Sequence, residues 1–370
     1  MKKEYTSKSL LIIAASLLII ASCKKDNKST TPATATPVKL GMYEVDSSIY
    51  KLLYMEVSTV GTQTLSTQFN TLIFDTGSGG LVIDANGILP ASMITSTGFN
   101  FTGDSTIVDG ITITNQEATV EYGDDDASVT KVYGNLAYAN VTIGDPGTGT
   151  VSITRLPFFM YYKGVDAKGN LLPAHYFDVL GVSPGYDVTF ENNAYITSPF
   201  SYFTPGTGLT KGIKMAELGT SNFSLEGNFV PSVVSVGLTA DDLSSTSGFV
   251  MSTLTFNSAD GYYPYIPATA TYNNKTANIE VIFDTGTEPY SYIEDKTAGA
   301  LTLLPANSTV AIATTSGFNY TYTTTATNNL TYIENPTTSG ADISILSLEF
   351  FLTNEYMLDY TDHKLGVKLN

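Results

Sequence analysis

The stretch Thr71-Leu72-Ile73-Phe74-Asp75-Thr76-Gly77-Ser78 has a second version further on, Ile279-Glu280-Val281-Ile282-Phe283-Asp284-Thr285-Gly286-Thr287. Each is an apolar, β-branched run closed by Asp-Thr-Gly and a hydroxyl residue. Such a run reads as a buried strand, and the glycine after it ends the strand in a turn, so the aspartate stands where the core meets a cleft. The two aspartates are 209 positions apart, far enough for each to belong to its own domain. Either motif alone reads as an Asp-Gly turn of the common kind. Two of them let two carboxylates face each other if the domains pair.

Outward from these stretches the texture is that of strands. The chain has 24 tyrosines and 18 phenylalanines, threonine and valine recur, and glycine or Asn/Asp turns follow at short intervals. Tyr54-Met55-Glu56-Val57-Ser58 alternates and runs into Val60-Gly61-Thr62, which predicts a first hairpin. Helices are expected only as short pieces, over 295–301 and 240–244. No tandem repeat is present. A single internal echo is: Phe177-Asp178-Val179-Leu180-Gly181-Val182 follows the first motif, and Ile345-Leu346-Ser347 with Glu349-Phe350-Phe351 follows the second. A boundary near Gly237-Leu238 gives each half one copy of both features, with an N-terminal lobe over 41–237 and a C-terminal lobe over 238–370.

Residues 1–22 read as a targeting segment, with Lys2, Lys3 and Lys8 ahead of an 11-residue apolar run over 10–20. That run is short for a membrane-spanning helix. It ends in Ile20-Ala21-Ser22-Cys23, which resembles the lipobox of bacterial lipoproteins and implies cleavage before Cys23 and lipidation of its thiol. An ordinary secretory signal with a chance cysteine is the alternative. Cys23 is the sole cysteine, so the fold holds without disulfides. With 42% hydrophobic residues, the body of the chain can bury an interior large enough for two domains. Residues 23–40, rich in Ser, Thr, Pro and Ala, read as a flexible tether. The formal charge is −17, and −19 without the first 22 residues, which carry three lysines and one glutamate. That balance argues against nucleic acid or anionic lipid surfaces as partners.

On these residues the chain resembles the pepsin-like, two-lobed aspartic peptidases, from about Tyr54 to Val367. The resemblance implies an all-β, bilobal fold with a catalytic cleft between two β-barrel-like lobes. It also implies an endopeptidase whose Asp75 and Asp284 share a proton and activate a water. Thr76 and Thr285 would clasp each other across the lobes, Gly77 and Gly286 would let backbone amides approach the carboxylates, and Ser78 and Thr287 would bond the outer carboxylate oxygens. Val120-Glu121-Tyr122-Gly123 lies where the family has its flap, which assigns Tyr122 and Gly123 to it, with Tyr133-Gly134 as the competing candidate. Phe177-Asp178-Val179-Leu180-Gly181 resembles the crossing beneath the first aspartate, and Met357-Leu358-Asp359-Tyr360, leading to Lys364-Leu365-Gly366-Val367, the C-terminal strands. No metal or cofactor is needed. The expected partners are a peptide or protein substrate and, through lipid on Cys23, a membrane of the cell envelope. A monomer is expected, because one chain supplies both lobes.

The chain also departs from the family. It has no tryptophan, and the place of the family's flap-bonding tryptophan falls near Val82. Asp124 and Asp125 follow the flap Tyr-Gly, Glu288-Pro289 follows Thr287, and Ser347 stands for a glycine, where it would crowd the backbone under Asp284 if its φ were positive. Asp124, Asp125 and Asp126 read as a solvated hairpin tip or a calcium loop. Added carboxylates beside the dyad would raise its pKa and disfavour acidic substrate side chains, giving an acid to mildly acid optimum with apolar residues at the cut bond. His175 and His363 are the only histidines and read as structural, with no serine-triad or zinc constellation around them. A non-catalytic lipoprotein that captures peptide or polymer in the same cleft is the rival reading, and a structural envelope lipoprotein a third.

Overall fold

The computed structural model describes residues 35–47, 50–123 and 129–370; the signal segment, Cys23, most of the tether and Asp124, Asp125 and Asp126 lie outside the described residues. In the N-terminal half six strands close into a barrel. Tyr50–Val60 pairs with Thr71–Asp75, then in turn come Val179–Val182, Gly79–Asp84, Val151–Val165 and Thr130–Ile143, which returns to Tyr50–Val60. Alternate residues point inward, so Met55, Val57, Leu72, Phe74, Leu81, Ile83, Leu180 and Val182 share the core. The predicted first hairpin is present, with Val60 opposite Gln63.

The C-terminal half repeats this local plan in an open eight-stranded sheet. Lys275–Phe283 lies parallel to Ser344–Leu346, which also pairs antiparallel with Tyr290–Glu294. In the first half Thr71–Asp75, Val179–Val182 and Gly79–Asp84 are related in the same way. The internal echo is therefore structural: each Asp-Thr-Gly strand is flanked by a parallel crossing strand. The lobes share an antiparallel sheet of Val250–Thr253, Lys364–Leu369, Asn354–Asp359, Thr210–Met215, Asn228–Leu238 and Val38–Ser47. Gly237-Leu238 ends one of these strands, and ordered strand begins at Val38, with Leu40 fully buried.

Neither predicted helix forms. Residues 295–301 and 240–244 are turns and bends, and the described helical pieces are single turns, such as Pro199–Tyr202 and Pro336–Ser339. Each segment opens on the kind of side-chain bond that starts a helix, but Gly299 follows in the first and the Ser/Thr run over 244–247 in the second, and neither extends a helix well. The Asp295 carboxylate accepts from the Thr297 amide and hydroxyl, and the Asp242 carboxylate from those of Thr239.

The crossing strands hold the aspartate loops at different clearances. Gly181 lies level with Asp75, and a Cβ there would sit 2.6 Å from the Ser78 carbonyl oxygen. At the second crossing Ser347 has φ −69°, so the crowding expected from a positive φ does not arise, and its amide donates to Ser291 Oγ at 3.1 Å. Gly181→Ala should cost about 1–3 kcal/mol of stability in urea denaturation. Ser347→Ala, which keeps that backbone, should cost no more than about 1 kcal/mol.

Candidate active site

Both Asp-Thr-Gly strands run into the interface between lobes, and their turns carry the side chains. Asp75 Oδ1 accepts from the amides of Gly77 (2.7 Å) and Ser78 (3.1 Å), and Oδ2 from Ser78 Oγ (2.5 Å). Asp284 repeats the pattern, with Oδ1 bonded to the Gly286 amide (2.7 Å) and Oδ2 to Thr287 Oγ1 (2.5 Å). The Asp75 carboxyl lies close enough to that of Asp284 to act on its ionisation. Each also lies against the opposite loop: a Cβ on Gly77 would be 2.5 Å from Asp284 Cγ, and one on Gly286 2.8 Å from Asp75 Cγ. Side chains at these two positions would occupy the space of the dyad. Burial, and then the charge of Asp75, hold the Asp284 carboxyl well above the usual carboxylate range.

The threonines between them form a closed clasp. Thr76 Oγ1 accepts from the Thr285 amide (3.0 Å) and donates to the Phe283 carbonyl (2.8 Å). Thr285 Oγ1 accepts from the Thr76 amide (3.0 Å) and donates to the Phe74 carbonyl (2.8 Å). Both residues are fully buried.

A cleft cavity of about 550 Å³ opens over the dyad. Its roof is the hairpin of Ile111–Tyr122 and Thr130–Ile143, with Tyr122 opposite Thr130 and Gly123 at φ +112°. Tyr122 stacks on Phe177 at 5.3 Å, so a phenylalanine from the crossing segment supports the flap tyrosine in a chain without tryptophan. Burial, and then the charge of Asp75, push the Tyr122 phenol well up. Val82 lies in the cleft wall, whereas Tyr133 is on the flap's flank with Lys163 over its ring at 4.2 Å.

Three groups in this cleft carry no signature that marks them in the sequence. Asp187 sits in a Gly-Tyr-Asp turn, and Tyr263 is one of 24 tyrosines. Their side chains meet 2.6 Å apart beside the Asp75 loop, where Tyr263 Oη also lies 2.7 Å from the Gly77 carbonyl oxygen. Burial raises the Asp187 carboxyl to about 7, and the charge of Asp75 adds to the rise. Glu288, noted in the sequence only as a departure, also lines the cavity, and burial followed by the charge of Glu349 raises it to about 8.

Behind Phe177, His175 is braced on both ring nitrogens, with Nδ1 2.7 Å from Asp178 Oδ2 and Nε2 2.7 Å from the Asn86 carbonyl oxygen. Burial works against its charge, but the bond to Asp178 and the charges of Asp178 and Asp84 outweigh it, so its pKa is raised. Burial also raises Asp178. With a carbonyl at Nε2 and a carboxylate at Nδ1, the imidazolium is the form that satisfies both contacts. His363 stacks on Tyr262 at 3.6 Å in a turn. Among the described residues no group of His, Cys, Asp and Glu is arranged to hold a metal.

Thr76→Ala leaves two buried backbone groups without partners and should cost roughly 2–4 kcal/mol in denaturant unfolding, with Thr76→Ser recovering most of it. For His175 the raised folded pKa fixes the sign: its stabilisation is fully present below its unfolded pKa of about 6.5 and is lost as pH rises through the higher folded value. The gap in melting temperature between wild type and His175→Gln should therefore be widest in acid and narrow toward alkaline pH.

No protein-family model matches the sequence, and no curated protein is significantly similar to it. The structure is similar to several solved ones. The aspartic proteinase from Irpex lacteus shares 17% identity at a TM-score of 0.54, covering 89% of this chain and 97% of that one. The protein edgp shares 12% at 0.55, over 91% and 96%, and Basic 7S globulin from soybean 12% at 0.55, over 90% and 96%. The fold is the all-β, bilobal pepsin-like one, as the two motifs led us to expect.

Proposed function

We propose that the protein is an aspartic-type endopeptidase, held at the cell envelope by lipid on Cys23. One observation supports the reading: two carboxyl groups, one from either lobe and each packed against the other's loop, line the floor of an open cleft. Close carboxyl groups of this kind cannot both ionise easily, so the pair holds one proton between them. A water bound to the pair gives a proton to the ionised carboxylate as its oxygen attacks the scissile carbonyl carbon. The neutral carboxyl meanwhile gives its proton to the carbonyl oxygen, forming a gem-diol. Collapse of the diol breaks the C–N bond, the amine nitrogen takes a proton from the dyad, and the acid product loses one back to it. The substrate is an extended peptide that pairs with the flap as an added strand.

Capture without cleavage is the second reading, and it has one observation behind it: a protein named as a globulin carries the same fold. Proteolysis by the signal-free protein across pH separates the two. We expect cleavage of denatured protein with a peak below pH 7, reduced at least about a thousandfold in kcat/KM by Asp75→Asn and by Asp284→Asn, and blocked by a statine-type peptide. Peptide binding with no cleavage at any pH would favour the capture reading, and a maximum at alkaline pH would contradict the dyad.

A further inference from the structure

Tyr263 Oη stands between two acceptors, the Gly77 carbonyl oxygen at 2.7 Å and Asp187 Oδ1 at 2.6 Å. The other Asp187 oxygen, Oδ2, accepts from the Gly79 amide. Two contacts meet at the phenol oxygen, and each needs a proton. The phenol supplies one, and the Gly77 carbonyl can supply none. Both are full two-centre bonds only when Asp187 supplies the other: its Oδ1–H donates to Tyr263 Oη, and Tyr263 Oη–H donates to the Gly77 carbonyl. If Asp187 is ionised, the phenol proton goes to the carboxylate, the stronger acceptor, and the Gly77 carbonyl loses its partner. Gly77 is the residue whose amide bonds Asp75 Oδ1 and whose Cα lies against Asp284.

We propose that Asp187 is a positioning residue that holds the Asp75 loop through Tyr263 only in its neutral form, and so sets the alkaline limit of the reaction proposed above. Of the groups facing it, the Asp75 and Asp260 carboxyls favour a neutral acid, while the Tyr263 hydroxyl and the Gly79 amide favour the anion. Tyr122 and Tyr265 also face it, and burial is the chief force on it. Loss of the proton frees one end of the Asp75 loop, and with it the Gly77 amide that bonds the Asp75 carboxylate.

Asp187→Asn is the informative change, because an amide keeps the neutral pattern at every pH: Nδ2–H can donate to Tyr263 and Oδ1 can accept from Gly79. The ratio of kcat/KM, variant over wild type, should rise about tenfold between pH 5 and 8, since one pH unit above a midpoint near 7 about a tenth of the acid remains. Tyr263→Phe breaks the relay and should abolish that rise when combined with Asp187→Asn. A purely structural role would shift activity equally at all pH, and a flat ratio overturns the proposal. Melting temperature gives a readout free of catalysis. A carboxyl raised on folding stabilises fully below its unfolded pKa near 4 and loses that as pH rises through the folded value. The variant should thus gain at least about 5 °C on wild type between pH 4 and 8. A gap that does not change with pH overturns the neutral acid. If the wild type cleaves nothing, the peptidase reading fails, and the melting series still decides whether Asp187 holds its proton.

Discussion

The reciprocal clasp of Thr76 and Thr285 is the constraint on which the site depends. Each hydroxyl accepts the other threonine's amide and donates to the carbonyl two residues before it, so four bonds cross between lobes in a ring. Both threonines are sealed from water, and a ring with every donor and acceptor used has one geometry. The aspartates are the residues immediately before the threonines, and the ring fixes their spacing before either carboxylate contributes. That matters because the dyad itself opposes folding. Bringing two carboxyls together in a buried cleft costs free energy, visible in the upward push on Asp284, and the clasp and the core beneath it offset that cost.

Around the clasp the two halves solve one problem with different means. Both place an Asp-Thr-Gly strand beside a parallel crossing strand. The first crossing passes so close to the Ser78–Gly79 backbone that only glycine fits at 181, while the second leaves room for Ser347 in an extended conformation. The flap departs in a similar manner. Its tyrosine stacks on Phe177, and the segment carrying Phe177 is pinned by the His175–Asp178 pair, which Tyr161 also bonds at 2.9 Å. A buried His175–Asp178 pair thus braces the segment that carries Phe177.

Much of this was legible because the motifs duplicate. Two Asp-Thr-Gly strands in order, a Tyr-Gly between them and a crossing after each were enough to predict the bilobal all-β fold, and Gly77, Ser78, Gly286 and Thr287, whose bonds to Asp75 and Asp284 are seen here, stand in those same motifs. Of the residues that reach the cleft from elsewhere in the chain, Tyr122 and Gly123 stood in a Tyr-Gly pair that marked them, whereas Asp187 and Tyr263 left no trace. Asp187 and Tyr263 come together only through folding, 76 positions apart, and neither stands in a pattern that sets it off from the chain's other aspartates or tyrosines. The short helices expected over 295–301 and 240–244 failed for a local reason: the capping bonds at Asp295 and Asp242 form, but Gly299 and the Ser/Thr run over 244–247 follow and do not extend a helix. The worry over Ser347 was a question of one dihedral angle, which residue type alone does not decide.

The central claim is that Asp75 and Asp284 hold a single proton between them. Carboxyl-carbon NMR titration of aspartate-labelled protein, with Asp75→Asn and Asp284→Asn to assign the signals, reads it directly. The account predicts two coupled, widely separated midpoints for the pair, and a fall in the Asp284 midpoint when Asp75 becomes asparagine. Two independent midpoints near 4, each unmoved by removal of the other carboxylate, would contradict it.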